Sequence, residues 1–257
     1  MIMSANLADL WQVADQNLSL PDDEVHVWRE SLGQPAPRVQ ALSSALSHDE
    51  QERAGRFYFQ RDREHFITSR AMLRTILGHY LKMRPGQLRF RYSYYGKPYL
   101  AEEDNGEDLR FNLSHSGDLA LIAVTRGRDV GVDIERIRQD VVDEGIAERF
   151  FSQLEVATLR SLPADLQAGA FFNCWTRKEA YIKARGEGLS LPLDKFDVSL
   201  APGEPARLLE TRIGSEETSD WSMQELAVGA GYAAALVVKG CDCQLKCLRW
   251  PERQEGL

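Results

Sequence analysis

Apolar residues recur along this chain at two different spacings, and the alternation between them divides it into elements. From Asp62 to about Lys82, Phe66, Leu73, Ile76, Leu77 and Tyr80 share one helical face, with Arg63, Arg70 and Arg74 beside the stripe, until Pro85 ends it. A shorter helix is predicted to begin near Ser47, where Ser47-x-x-Glu50 has the form of a capping box. Phe150 to Leu162 and Ala168 to Ala184 also read as helices. Strand-length apolar runs lie at Val25 to Trp28, Leu88 to Tyr92, Leu109 to Leu113, Leu119 to Thr125, Val130 to Ile134 and Phe196 to Leu200. Further strands are expected from Trp221 to Val238, punctuated by Gly229 and Gly231. The second half repeats the coarse order of the first, helices before a glycine-marked turn and then strands. Arg126-Gly-Arg-Asp129 is the expected boundary, giving halves 1–125 and 126–257.

Composition places the chain among ordinary globular proteins. Its 257 residues, 43% hydrophobic and 27% charged, suffice for one large domain or two of moderate size. No run of about 18 apolar residues could span a bilayer, and Met1 to Asn17 lacks the basic-then-apolar order of a signal peptide, so the expected compartment is the cytoplasm. Cys241, Cys243 and Cys247 could offer three soft ligands to zinc, but no fourth ligand follows, and reduced thiols near a C-terminal strand are the expectation. A net charge of -8 argues against a nucleic-acid-binding surface over the whole molecule. Residues 51–100 nevertheless hold 11 Lys/Arg against 3 Asp/Glu, a basic segment suited to a phosphate-bearing or acidic partner.

Four constellations carry candidate chemistry. In Gly131-Val-Asp-Ile-Glu135, strand alternation sends Asp133 and Glu135 to one face and Val132 and Ile134 to the other. Two hard oxygen ligands so placed suit magnesium when substrate phosphates complete its octahedron, although an exposed polar strand face would look the same. In Trp175-Thr-Arg-Lys-Glu-Ala-Tyr-Ile-Lys183, Glu179 and Lys183 are one helical turn apart, either a surface ion pair or a third magnesium ligand beside a phosphate-binding cation. Gly186 and Gly188 follow where that helix must end. Asn112-Leu-Ser-His-Ser-Gly117 holds Ser114 and His115, which as neighbours on an extended segment cannot form a nucleophile–base pair but can cradle a phosphate. In Tyr95-Gly-Lys-Pro98, Gly96 and Pro98 would fix a tight turn and hold Lys97 outwards as a point charge.

Taken in order, Gly96-Lys97-Pro98, Asn112 to Gly117, Gly131 to Glu135, Arg149-Phe-Phe-Ser152, and Trp175 to Lys183 with its glycine-rich continuation resemble the 4'-phosphopantetheinyl transferases of the larger, surfactin-synthetase-activating type. The resemblance covers roughly residues 45–200. It implies an α+β, sandwich-like fold of two similar subdomains forming a pseudo-dimer, with coenzyme A in the cleft between them. It implies magnesium held by Asp133, Glu135 and Glu179, with Glu179, Lys183 and Asp133 as the catalytic set. Coenzyme A would meet Lys183, Ser114 and His115, and Gly96, Lys97 and Pro98 around its adenine and phosphates. Arg53 stands in for a family cation, because Glu50 occupies a position where a lysine can occur. Glu155 matches a family glutamate, but it also completes the capping box Ser152-x-x-Glu155, which favours a structural role. The implied acceptors are apo carrier domains of fatty-acid, polyketide or nonribosomal peptide synthases, served by a monomeric enzyme. Two rival readings are a coenzyme A or nucleotide-binding module without activity and a magnesium-dependent nucleotide phosphohydrolase.

Overall fold

A computed structural model of the chain describes residues 10–15, 18–140, 145–213, 218–240 and 242–250. After β1 (Gln12–Val13), the first half runs β2 (Glu24–Ser31), α1 (Ala36–Ser43), α2 (His48–Gly55), α3 (Gln60–Leu81), the hairpin β3 (Phe90–Tyr92) and β4 (Pro98–Leu100), and the hairpin β5 (Leu109–Ser116) and β6 (Leu119–Arg126). The second half runs β7 (Val130–Arg136), α4 (Ile146–Phe150), α5 (Gln153–Ser161), α6 (Ala164–Arg185), the hairpin β8 (Phe196–Val198) and β9 (Leu208–Thr211), and the hairpin β10 (Trp221–Glu225) and β11 (Tyr232–Lys239). Each half is therefore a strand, two short helices, a 22-residue helix and two hairpins. The sheets repeat the same connectivity: β2 pairs with β6 and β6 with β5, as β7 pairs with β11 and β11 with β10.

Alternation along the strands builds four layers, helix, sheet, sheet and helix. On β6, Ile122 and Val124 pack under α3 against Leu73, Ile76 and Leu77. Their neighbours Leu121 and Ala123 face the other way, meeting Val132 and Ile134 of β7 and Leu236 of β11 between the two sheets. On the far side Ala235 and Val237 of β11 pack against Phe171, Tyr181 and Ile182 of α6. Each of these large apolar side chains contributes about 1.5–3 kcal/mol by leaving water. The consequence for the site is positional. Because Val130, Val132 and Ile134 fill the inter-sheet core, Gly131, Asp133 and Glu135 must face α6.

Two expectations are corrected here. The division at residue 126 does not hold for the end of the chain, because β12 (Gln244–Arg249) returns to the first half and pairs in parallel with β2, and β1 then pairs with β12. The predicted helix from Phe150 to Leu162 is broken at Phe151, since Ser152 takes an extended backbone and caps α5 instead. Cys243 and Cys247 are free thiols flanking and within β12, whereas Cys241 lies outside the described residues. No helix among the described residues is long and apolar enough to cross a membrane.

Candidate active site

The site forms where the outer edges of the two sheets meet beneath α6. A glycine makes the approach possible. A Cβ added at Gly131 would lie 2.0 Å from the carbonyl oxygen of Ala180 and 2.4 Å from the amide nitrogen of Ala184, so β7 and α6 touch backbone to backbone. That contact sets Asp133 of β7 beside Lys183 of α6, whose Nζ lies 2.6 Å from Asp133 Oδ1. The ion pair therefore joins two elements and leaves Glu179, one turn away on the same helix, with no ion pair or hydrogen bond among the described residues. α6 ends one turn after Lys183, where Gly186 takes a left-handed φ of 74°.

A cavity of about 380 Å³ opens there, lined by Leu113, Ser114, His115, Asp133, Glu135, Trp175, Glu179 and Lys183. The structure thus brings together six of the site residues expected from the sequence. Ser114 is buried and donates to Asp133 Oδ1 at 2.7 Å, while its oxygen accepts from Lys183. His115, the next residue of the strand, lines the same cavity and is exposed. Partial desolvation, followed by the nearby Lys183 ammonium, holds its imidazole below the ordinary pKa. Desolvation raises the pKa of Glu135, against the pull of the Ser116 hydroxyl, and raises that of Glu179 to about 7, with Asp133 and Glu135 adding repulsion. Asp133 Oδ2 is buried with no hydrogen-bond partner. Among the described residues no three His, Cys, Asp or Glu side chains form a ready-made metal cage, and Asp133 spends one oxygen on Lys183 and Ser114.

Comparison with known proteins decides what this cleft belongs to. Residues 129–237 match the 4'-phosphopantetheinyl transferase superfamily, and residues 35–127 match the family described as 4'-phosphopantetheinyl transferase, N-terminal. The 4'-phosphopantetheinyl transferase HetI of Nostoc sp. is 42% identical over 240 residues, covering 93% of this chain and 98% of its own. The chain belongs to the 4'-phosphopantetheinyl transferases. It is similar as well to 4'-phosphopantetheinyl transferase Sfp of Bacillus subtilis, 34% identical over 61% of this chain and 67% of that one. A human relative, L-aminoadipate-semialdehyde dehydrogenase-phosphopantetheinyl transferase, is 28% identical over 87% of this chain and 77% of its own. The transferase moves phosphopantetheine from coenzyme A, its substrate, to carrier proteins.

Several side chains of the transferase sit elsewhere than the sequence suggested. Lys97 does not point outwards: its ammonium donates to the carbonyls of Val130, Lys183 and Ala184, at 3.1, 2.6 and 3.3 Å. The turn does form, with Gly96 at a φ of 84°, but the negative end of α6 draws the cation inwards, and burial lowers its pKa to about 8. Lys97 and Pro98 also line a neighbouring cavity of about 570 Å³, together with Ala184 and Arg185 at the end of α6 and Gly186 just beyond it. Of the three arginines beside the α3 stripe, only Arg63 is exposed. Arg70 and Arg74 are buried on Glu50, with Arg70 Nε at 2.8 Å and Arg74 Nε at 2.5 Å. Arg89 and Arg91 pair with Asp104 and Glu103, acids just outside the basic window. Arg53 remains exposed, its guanidinium 5.2 Å from the Phe66 ring centroid.

Glu155 is held in a buried network away from the cavity. Its carboxylate accepts from the Ser152 amide at 2.8 Å, completing the capping box, from the Val198 amide at 2.8 Å, and from Lys178 Nζ at 2.8 Å. Three functional features escaped the sequence reading. Trp175 lines the cavity itself, Gly131 is demanded by the approach of α6, and Asn112 and Ser116 bond to β7 across the sheet edge. The alternation of Asn112, Ser114 and Ser116 opposite Gly131, Asp133 and Glu135 was a readable signal for the last of these.

Proposed function

We propose that coenzyme A lies along the cleft between the halves, its diphosphate at the Asp133, Glu135 and Glu179 cavity and its adenine towards Gly96, Lys97 and Pro98. The observation that carries this reading is the buried, unpartnered Oδ2 of Asp133, beside two carboxylates whose ionisation burial already penalises. Such a set of hard oxygen donors is completed by a divalent cation, and the residues fit magnesium. Bound by Asp133, Glu135 and Glu179, magnesium would supply charge neutralisation at the diphosphate oxygens. His115 and Arg53, both exposed, would receive the 3'-phosphate, with Ser114 keeping Lys183 and Asp133 in place. The Lys97 contact would come through its stem and backbone, since its ammonium is engaged elsewhere.

The carrier serine oxygen attacks the phosphorus that bears pantetheine, and the bond from that phosphorus to the bridging oxygen breaks. Adenosine 3',5'-bisphosphate leaves. Glu179, at the rim of the cavity one turn from Lys183, takes the serine proton directly or through a bound water. Lys183, already at the rim of the cavity, stabilises the charge growing on the leaving phosphate. The acceptors are carrier domains of fatty-acid, polyketide or nonribosomal peptide synthases, and the enzyme acts as a monomer in the cytoplasm.

The test incubates purified protein, magnesium and coenzyme A with several apo carriers and measures the mass added to each. Transfer adds one phosphopantetheine per carrier, and Asp133→Ala and Glu179→Gln abolish it while the proteins stay folded. No mass gain on any carrier overturns the reading, and release of phosphate without a carrier would mark a phosphohydrolase. A folded Glu179→Gln variant with near-normal turnover removes Glu179 from the base and metal roles.

A further inference from the structure

The two half-sheets meet at β5 and β7, each the last strand of its sheet. Strand-to-strand hydrogen bonds do not join them. Instead side chains of β5 serve the backbone of β7: Asn112 Oδ1 accepts from Val132 N at 2.9 Å, Ser114 Oγ from Ile134 N at 3.4 Å, and Ser116 Oγ from Arg136 N at 3.0 Å. The spacing is two residues on both strands, so the three contacts form a regular series. A hydroxyl that accepts from an amide still has its own proton to give. Ser114 gives it to Asp133 Oδ1 and Ser116 to Glu135 Oε2, each at 2.7 Å. At the first step the corresponding residue of β7 is Gly131, which offers no carboxylate, and β5 carries an asparagine there instead of a serine. The residue types of the two strands are therefore matched step by step, hydroxyl opposite acid and amide opposite glycine.

From this we propose that Ser116 is a positioning residue for Glu135, fixing that carboxylate for metal binding from the opposite half of the molecule. Ser114 has other work at Lys183, whereas Glu135 is the only side chain to which Ser116 donates. With one oxygen of Glu135 held, the other has no hydrogen bond among the described residues and is left for a ligand. The inference rests on the reading of Glu135 as a magnesium ligand. Hydrogen bonds that orient ligating carboxylates in this way are typically worth 10–100-fold in metal affinity.

Ser116→Thr and Ser116→Val make the test, because they have nearly the same shape, both suit a strand, and differ in the hydroxyl. Magnesium binding is measured by calorimetric titration with coenzyme A present and no carrier, so that no turnover occurs, and thermal unfolding confirms the fold. Ser116→Val is expected to bind magnesium about 10–100-fold more weakly and to need correspondingly more for half-maximal transfer. Ser116→Thr should bind like the unsubstituted protein, and KM for coenzyme A at saturating magnesium should stay unchanged in both. Equal, undiminished affinity in Ser116→Val overturns the proposal, and so does an equal loss in both variants, which would make shape rather than the hydroxyl decisive. If the unsubstituted protein takes up no magnesium, or Glu135→Gln takes it up undiminished, the metal reading itself has failed.

Discussion

Glu155→Gln separates structure from chemistry at a glutamate that the family resemblance left ambiguous. The carboxylate is 2% exposed and accepts three donors, two of them backbone amides and the third Lys178, a side chain with no exposed surface. Lys178 completes its shell with the carbonyls of Leu193 and Phe196 at 2.7 and 2.6 Å, so every proton of the ammonium is spoken for. Glutamine keeps the shape but removes the charge, and its NH₂ must then face either an amide N–H or the ammonium. A buried cation left without its counter-ion costs about 3–5 kcal/mol. For a chain of this size that lowers the melting temperature by roughly 6–20 °C. Circular dichroism against temperature reads the loss, and carrier modification at low temperature should proceed at close to the unsubstituted rate. Adding Lys178→Met to Glu155→Gln removes the orphaned ammonium and should recover part of the stability, a coupling that independent sites would not show. A Glu155→Gln protein that melts normally yet fails to transfer would refute the structural assignment.

Three further substitutions probe how the cleft is held. Gly131→Ala places a methyl against the backbone of Ala180 and Ala184, so α6 must shift; misplacing Glu179 and Lys183 by about 1 Å should cost around 100-fold in kcat, read by carrier mass gain. Lys97→Met keeps the stem but releases three carbonyls, and should lose about 1–2 kcal/mol in urea unfolding while kcat falls more than KM for coenzyme A rises. A large KM effect at unchanged stability would instead mark Lys97 as a direct ligand. Glu30 is buried and its pKa is raised to about 7 by desolvation, so the folded state holds a proton that the unfolded state releases near pH 4.5. Stability should fall between those pH values by up to about 3 kcal/mol, and Glu30→Gln should flatten the fall, which urea titrations at pH 5 and pH 8 will compare. An unchanged slope in the variant would acquit Glu30.

Periodicity exposed most of the fold because long elements reveal their buried face. The α3 stripe and the alternation of Val132 and Ile134 with Asp133 and Glu135 both survive in three dimensions. What stayed hidden was long-range pairing. Arg70 and Arg74 look like surface cations in the sequence, and only the fold brings Glu50, at least 20 residues away, against them. Lys97 is the same case at greater distance, since its carbonyl partners include Lys183 and Ala184 of the other half. A local count of charge cannot see a counter-charge that arrives from elsewhere in the chain. The return of β12 to β2 was invisible for a related reason, because an apolar strand does not record which sheet it joins.

These long-range contacts converge on one place, which explains why the chemistry sits between the halves. β7 and α6 supply the acids and Lys183, but a lysine from the β3–β4 turn holds the end of α6, and a side-chain ladder from β5 holds the edge of β7. The second half alone would keep the residues and lose the hydroxyls at Asp133 and Glu135. The first half has the same connectivity, yet the free side of its β2 is taken by β12, and Trp28 and Trp250 pack at a tilt with ring centroids 4.8 Å apart. Among the described residues strand β7 pairs with no strand on its outer side and meets there the polar side chains of β5. The same connectivity thus leaves β7 with a polar edge facing β5, and the carboxylates lie along it.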